Sequence, residues 1–191
     1  MKDTELMIQV KAGDKSAFRI IVEKYQQQVI NVAYRILGDP EDAEEIAQET
    51  FLKAYLSAKS YKPQAELFTY LYTIVTHLAL NRLRKKRRLR WFSLDSLDDS
   101  EGGSNPEEIL TDPTDRPDEA LERTEREEMV RRALEALPPA QKAAMVLSRY
   151  EGLSYSQIAE VMDISVSAVE SKLYRAKQTL KKKLTPYLED I

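Results

Sequence analysis

The chain has 191 residues with 29 Lys+Arg and 32 Asp+Glu, a net charge of −3, so the whole-chain average points to no polyanion partner. With no Cys and a single His it has no Cys-based zinc site, disulfide framework or cysteine nucleophile, and 5 Gly leave no room for a Gly-rich phosphate loop. The acidic N-terminus lacks an apolar run, so no signal peptide is expected, and Leu67 to Leu80 is too short and too interrupted by Thr69, Thr73, Thr76 and His77 to enter a bilayer. The expectation is a soluble, cytoplasmic protein that is not an enzyme, needs no cofactor or metal and inserts into no membrane.

Apolar residues recur at helical spacing throughout, and period-two runs are absent, which predicts an all-α fold. Asp3 can cap a short first helix ending near Gly13. Asp14 can cap a second, whose stripe is Phe18, Ile21, Val22, Tyr25, Val29, Val32, Ala33 and Ile36, with Gly38 at its end. Pro40 suits the first turn of a third, with Ala43, Ile46, Ala47, Phe51, Ala54 and Ala58 inward. After Pro63 a fourth helix runs from about Glu66 to Arg90, burying Leu67, Leu71, Ile74, Val75 and Leu78 and ending in a dense cationic run from Arg82.

Charge is segregated along the chain. Residues 1–90 carry 16 basic and 11 acidic side chains, residues 91–123 carry 2 and 11, and residues 124–191 carry 11 and 10. The middle stretch holds Gly102, Gly103, Pro106 and Pro113 among Asp, Glu and Ser. Such a composition cannot bury enough surface to offset chain entropy, and it reads as a flexible acidic linker. Two small helical domains, 1–92 and 118–191, joined by a linker over 93–117, is the economical organisation. In the second domain a helix starts near Pro117 and ends at Pro138. Another covers Ala140 to Glu151, Ser154 caps a short one through Met162, and a long one runs from Val166 to about Leu188.

Two segments carry the features of nucleic-acid contact. In Leu153 to Leu173, Ala159 permits a close helix crossing, and Ile158, Met162, Ile164, Val169 and Leu173 form the wedge of a helix-turn-helix. The second helix would then expose Ser167, Glu170, Ser171, Tyr174, Arg175 and Gln178, flanked by Lys172 and Lys177. Hydroxyls and Arg can read base edges in a major groove while Lys neutralises phosphate. In the fourth helix His77, Asn81, Arg84 and Arg88 share one face. Tyr61, Phe68, Tyr70 and Tyr72 crowd the same helix and its approach, a combination suited to single-stranded bases unless the rings are core residues.

The order of these features resembles the bacterial sigma factors of the extracytoplasmic function (ECF) group, in the sigma-70 superfamily. Asp14 to Phe18 with Tyr25 resembles the start of the family's region 2. Asp42 to Tyr55 resembles its polymerase-binding helix, Phe68 to Val75 and beyond its −10 reader, and Ser154 to Lys177 its region 4 helix-turn-helix. The resemblance implies docking on core RNA polymerase through Asp42, Glu45, Gln48, Glu49 and Phe51. It implies contact with the melted −10 strand through Lys62, Tyr70, His77, Asn81, Arg84 and Arg88. Duplex −35 contact would come from Ser167, Glu170, Ser171, Lys172, Tyr174, Arg175 and Lys177. An anti-sigma factor that covers the polymerase-binding faces is implied as a further partner.

Departures from the family pattern fall on base-facing positions. Tyr70 stands for the usual Trp, His77 for the usual Asn, Asn81 for the usual Asp, and Glu170 where many relatives carry Lys or Arg. A free-standing helix-turn-helix regulator would explain residues 124–191 equally well. It would leave the acidic helix at Asp42 to Tyr55 and the basic, aromatic helix at Phe68 to Arg90 without a purpose. An adaptor with merely solvated charges is the third reading.

Overall fold

A computed structural model describes residues 3–61, 66–94 and 129–188, and the regular structure among them is helical. The elements are α1 (Asp3–Lys11), α2 (Lys15–Leu37), α3 (Pro40–Leu56), a 3₁₀ turn (Ala58–Ser60) and α4 (Leu67–Leu94). They are followed by α5 (residues 129–135), α6 (Pro139–Arg149), α7 (Tyr155–Met162) and α8 (Val166–Leu188). Of the expected linker only residues 93 and 94 are described, and they continue α4.

Local chemistry sets the helix ends. Asp14 caps α2 by accepting from the backbone N–H groups of Ser16 and Ala17 at 2.8 and 3.3 Å. Gly38 closes the same helix at φ 77°, where its N–H donates to the Tyr34 carbonyl, a conformation that glycine enters without a Cβ clash. Asp39 then caps α3 through the Asp42 N–H at 2.9 Å, with Pro40 in the first turn. Asp3, expected as a cap, is instead the first residue of α1. Its carboxylate accepts from Lys24 Nζ at 2.6 Å and from Tyr25 OH, which ties α1 to α2. Burial alone would raise the Asp3 pKa, but these two donors hold it below the ordinary carboxylate range.

Helices α2, α3 and α4 pack pairwise, with α1 against α2. Ile21, Val29, Val32, Ala33 and Ile36 are fully buried, and Ala43, Ala47 and Ala54, each no more than 3 % exposed, let neighbouring backbones approach α3. In α4 the expected positions Leu67, Leu71 and Val75 are buried, and Ile74 and Leu78 pack at the margin. Tyr72, Thr76, Ala79 and Leu80 are buried as well. The reason for this extra coverage is that α4 also meets α6 and α7.

In the C-terminal part α6, α7 and α8 pack on one another around Val146, Leu147, Ile158, Val161, Val169 and Leu173. Each such side chain contributes about 1.5–3 kcal/mol by leaving water. A capping box starts α7: Gln157 N–H donates to Ser154 Oγ, and Ser154 N–H donates to Gln157 Oε1 at 2.9 Å. The turn between α7 and α8 passes through Asp163 at φ 52°, ψ 51°, the left-handed region that Asp tolerates better than most residues.

Buried residues of the N-terminal and C-terminal parts join one apolar cluster. At the junction lies Glu151, in the turn between α6 and α7, with its side chain 10 % exposed. Its Oε1 accepts from Arg35 Nη1 of α2 at 3.1 Å, and its Oε2 accepts from Tyr72 OH of α4 at 2.7 Å. Arg35 also lies over the Tyr150 ring at 4.6 Å. Burial and then the Glu151 carboxylate push the Tyr72 phenol well above its usual range. Nearby, a Cβ placed on Gly38 would stand 3.4 Å from Glu135 Oε1, so the α2–α3 turn directly abuts α5. Lys142 of α6 is buried here, which lowers its pKa against the opposing pull of Glu135.

Candidate nucleic-acid and partner interfaces

Three surfaces gather the residues that the sequence singled out. The first is α3. Its core stripe turns Phe51 inward, 8 % exposed and edge-on to Phe18 at 6.5 Å, so Phe51 holds the helix from below. Asp42 is also largely covered. It accepts from Arg82 Nη1 at 2.6 Å and ion-pairs with Lys86. Glu45 is exposed and receives the same guanidinium bidentately at 3.0 and 2.6 Å. That hydrogen bond, more than any other influence, holds the Glu45 carboxyl below its usual range, and burial opposes it only weakly.

The acidic helix and the cationic run are therefore stitched together. Lys86 also reaches Asp39 at 3.5 Å, and the hydrogen bond to Asp42, ahead of its other charge contacts, raises the lysine's pKa. Gln48 remains exposed, and Glu49 pairs with Lys53, one turn on, at 3.3 Å. Beside them stand Leu52 and Leu56, 57 % and 69 % exposed. The sequence reading missed these two. Their signal was an apolar pair one turn apart lying off the buried stripe.

The second surface is α4. Asn81, Arg84 and Arg88 are exposed on it and His77 is half-buried, with Asn81 Oδ1 accepting from Arg84 Nη1 at 3.1 Å. Lys62 lies outside the described residues. The aromatic residues mostly pack. Tyr61 and Tyr72 are buried, Tyr61 meets Tyr70 at 5.2 Å and Phe68 meets Tyr72 at 5.8 Å. Tyr70 is half-buried, its hydroxyl 2.5 Å from Ser57 Oγ.

The third surface is α8. Ser167, Glu170, Ser171, Tyr174, Arg175 and Lys177 are exposed, and Lys172 is half-covered. Tyr174 is 66 % exposed. Beneath them Val169, Leu173 and Ala176 are buried, so the helix presents one polar face while its other side is fixed. A groove lined by Gln141 of α6 with Ser171, Lys172 and Arg175 of α8 runs along that face. Among the described residues no three His, Asp or Glu gather closely enough to hold a metal ion, and no helix is long and apolar enough to cross a membrane.

The site thus sets a helix-turn-helix with an open polar face beside a basic helix stitched to an acidic one. Residues 21–89 match the family described as Sigma-70 region 2, and residues 127–180 the one described as Sigma-70, region 4. The RNA polymerase sigma-H factor of Pseudomonas aeruginosa is 33% identical over 99% of this chain and 97% of its own length. The ECF RNA polymerase sigma factor SigW of Bacillus subtilis is 32% identical over 92% of this chain and 93% of its own. The sigma factor RpoE of Bartonella quintana, solved in complex with the anti-sigma factor NepR, shares the fold at a TM-score of 0.64. It is 21% identical, with 88% of this chain and 96% of that one covered. The chain belongs to the ECF group of the sigma-70 family.

Proposed function

We propose that this protein is an alternative sigma factor that binds core RNA polymerase and directs it to promoters carrying its −10 and −35 elements. The observation that carries the reading is the presence, in one chain, of a region 2 body and a region 4 reader, each with its polar helix face exposed. The factor adds no chemistry of its own, acts in the cytoplasm, and is held in check by an anti-sigma factor. That control is supported by the structural likeness to a sigma factor solved with such a partner.

The polymerase meets the exposed side of α3. Gln48 and Glu49 offer polar contacts there, with Leu52 and Leu56 as an apolar anchor, while Asp42 and Phe51 support the helix from within. On α4, His77, Asn81, Arg84 and Arg88 face the melted −10 strand, with Tyr70 and Lys62 at its approach. Amide and imidazole can hydrogen-bond a base taken out of the stack, and Arg follows the backbone. On α8, Arg175 and Ser171 lie where side chains reach base edges, Lys172 and Lys177 where they neutralise phosphate. Glu170 suits a cytosine amino group, and Tyr174 supplies an exposed ring.

The test is co-elution with bacterial core RNA polymerase. Gln48→Lys/Glu49→Lys is a cleaner perturbation than reversing Glu45, because Glu45 bridges α3 to Arg82 of α4 whereas Glu49 pairs within α3. Co-elution by wild type, lost in the double variant with helicity unchanged, is the expected result. Co-elution unaffected by the reversal would move the docking face elsewhere. No association at low salt would overturn the sigma reading and favour a free-standing regulator.

A further inference from the structure

Resting on that reading, we infer that Glu170 is a specificity-determining residue of the upstream contact: it selects a cytosine in the duplex element that α8 enters. Glu170 is the one acidic side chain between Val166 and Leu188, on a helix that also carries Lys172, Arg175, Lys177, Lys181, Lys182 and Lys183. It is exposed in the middle of the outward stripe. Ion pairs along a helix form at spacings of three or four residues, and around Glu170 those positions hold Val166, Ser167, Leu173 and Tyr174. No cation of α8 is therefore placed to neutralise it. Among the described residues its side chain makes no ion pair or hydrogen bond. An uncompensated carboxylate thus stands on a face otherwise suited to a polyanion.

The surroundings give that carboxylate a fixed place. Val169 and Leu173 are buried beneath it, and Ser165 caps α8 by accepting from the Ala168 N–H at 3.2 Å. The first turns of a recognition helix are the ones that meet base edges. The neighbouring hydroxyls are engaged within the helix: Ser167 Oγ lies 3.1 Å from Ser165 Oγ, and Ser171 Oγ donates to the Ser167 carbonyl at 3.0 Å. Glu170 is left as the strong free acceptor of the stripe.

An ionised carboxylate accepts hydrogen bonds and donates none. Phosphate repels it, so at this position a duplex is favourable only where a base donates. Guanine presents N7 and O6 in the major groove and thymine presents O4, all of them acceptors. The donors are adenine N6 and cytosine N4. Adenine N6 lies between two acceptors, its own N7 and the O4 of the paired thymine. Cytosine N4 has an acceptor on one side alone, the O6 of its guanine, so cytosine meets the carboxylate with the least repulsion. Glutamine at the same position would change the choice, because its amide offers a donor beside an acceptor, the pattern that matches adenine N6 and N7.

Base selection and a merely solvated charge respond differently to substitution. Bacterial core RNA polymerase carrying the full chain retains molecules from a pool of duplexes randomised upstream of the melted region, and the retained molecules are sequenced. Molecules held by core polymerase alone give the background. Wild type, Glu170→Gln and Glu170→Ala are run side by side, with folding of each checked by circular dichroism. Wild type should enrich cytosine at one position by about tenfold, Glu170→Gln should enrich adenine at that same position, and Glu170→Ala should show no preference there. Preferences at neighbouring positions should persist in all three. One and the same preference at every position in all three proteins would overturn the inference. Retention that rises alike on every sequence in both variants would overturn it too, because Glu170 would then only repel phosphate. So would a wild type that joins core polymerase yet retains no sequence above background. No association of wild type with core polymerase would remove the sigma reading itself, and the inference with it.

Discussion

Replacing Arg82 with Met tests whether the stitch between α3 and α4 holds region 2 together. The Arg82 side chain is 21 % exposed, and its guanidinium serves two carboxylates of different exposure, the Asp42 side chain at 11 % and that of Glu45 at 64 %. A hydrogen bond to a charged group contributes about 1.5–3 kcal/mol. Asp42 keeps Lys86 as a partner, which places the loss near the middle of that range, at about 2 kcal/mol. The Glu45 half lies in water, where ion pairs contribute little, and Met retains most of the packing of the Arg stem. For a chain of this size the melting temperature should fall by roughly 4–8 °C. Equilibrium urea unfolding followed by circular dichroism, with wild type, Arg82→Met and Glu45→Gln side by side, measures it. Arg82→Met should be clearly destabilised and Glu45→Gln close to wild type. Arg82→Met within about 0.5 kcal/mol of wild type would show that the ion pairs follow the fold and do not support it.

Asp39→Ala removes the α3 cap and should lower stability by about 1 kcal/mol, while Asp39→Asn, which keeps a capping oxygen, should lose less. The Asp42 N–H first, and then Lys86 against the opposing effect of burial, depress the Asp39 pKa. Its charge-dependent contribution is therefore complete above the ordinary carboxylate range near pH 4 and disappears as pH falls through the lowered value. Unfolding free energies of wild type and Asp39→Asn should accordingly converge between neutral pH and about pH 3; a gap that widens on acidification would contradict the assignment. Asp163→Gly, relieving a left-handed residue at φ 52°, should stabilise the C-terminal part by roughly 0.5–1 kcal/mol, and a lower melting temperature would speak against strain at that turn.

Local rules made the individual helices legible. Ser154, Asp14, Pro40 and Gly38 each announce a helix end locally, and the structure adds Asp39 and Gln157 as capping partners. The long helix from Val166 to Leu188 and the wedge around Val169 and Leu173 follow from the same short-range spacing. What periodicity cannot convey is which segment covers a given face. Tyr72 and Thr76 lie off the inward stripe of α4 that the spacing predicts, Tyr72 among rings suited to either bases or a core. They are buried because α4 meets the C-terminal helices too. Glu151 lies 79 residues from Tyr72 and 116 from Arg35, so no spacing within one helix could pair them. Phe51 shows the converse limit: the sequence offers it both for the inward stripe and for partner contact, and its burial bears on the first role alone.

The bonds between α3 and α4 also change how the cationic run from Arg82 to Arg90 should be counted. Arg82 and Lys86 already neutralise carboxylates of their own fold, whereas Arg84 and Arg88 turn outward. Counterions condensed on a nucleic acid are displaced only by cations that actually meet its phosphates, at a slope of about 0.7 per contact on a single strand. If α4 contacts the −10 strand as proposed, the ionic-strength dependence of that contact should be set by fewer charges than the run contains.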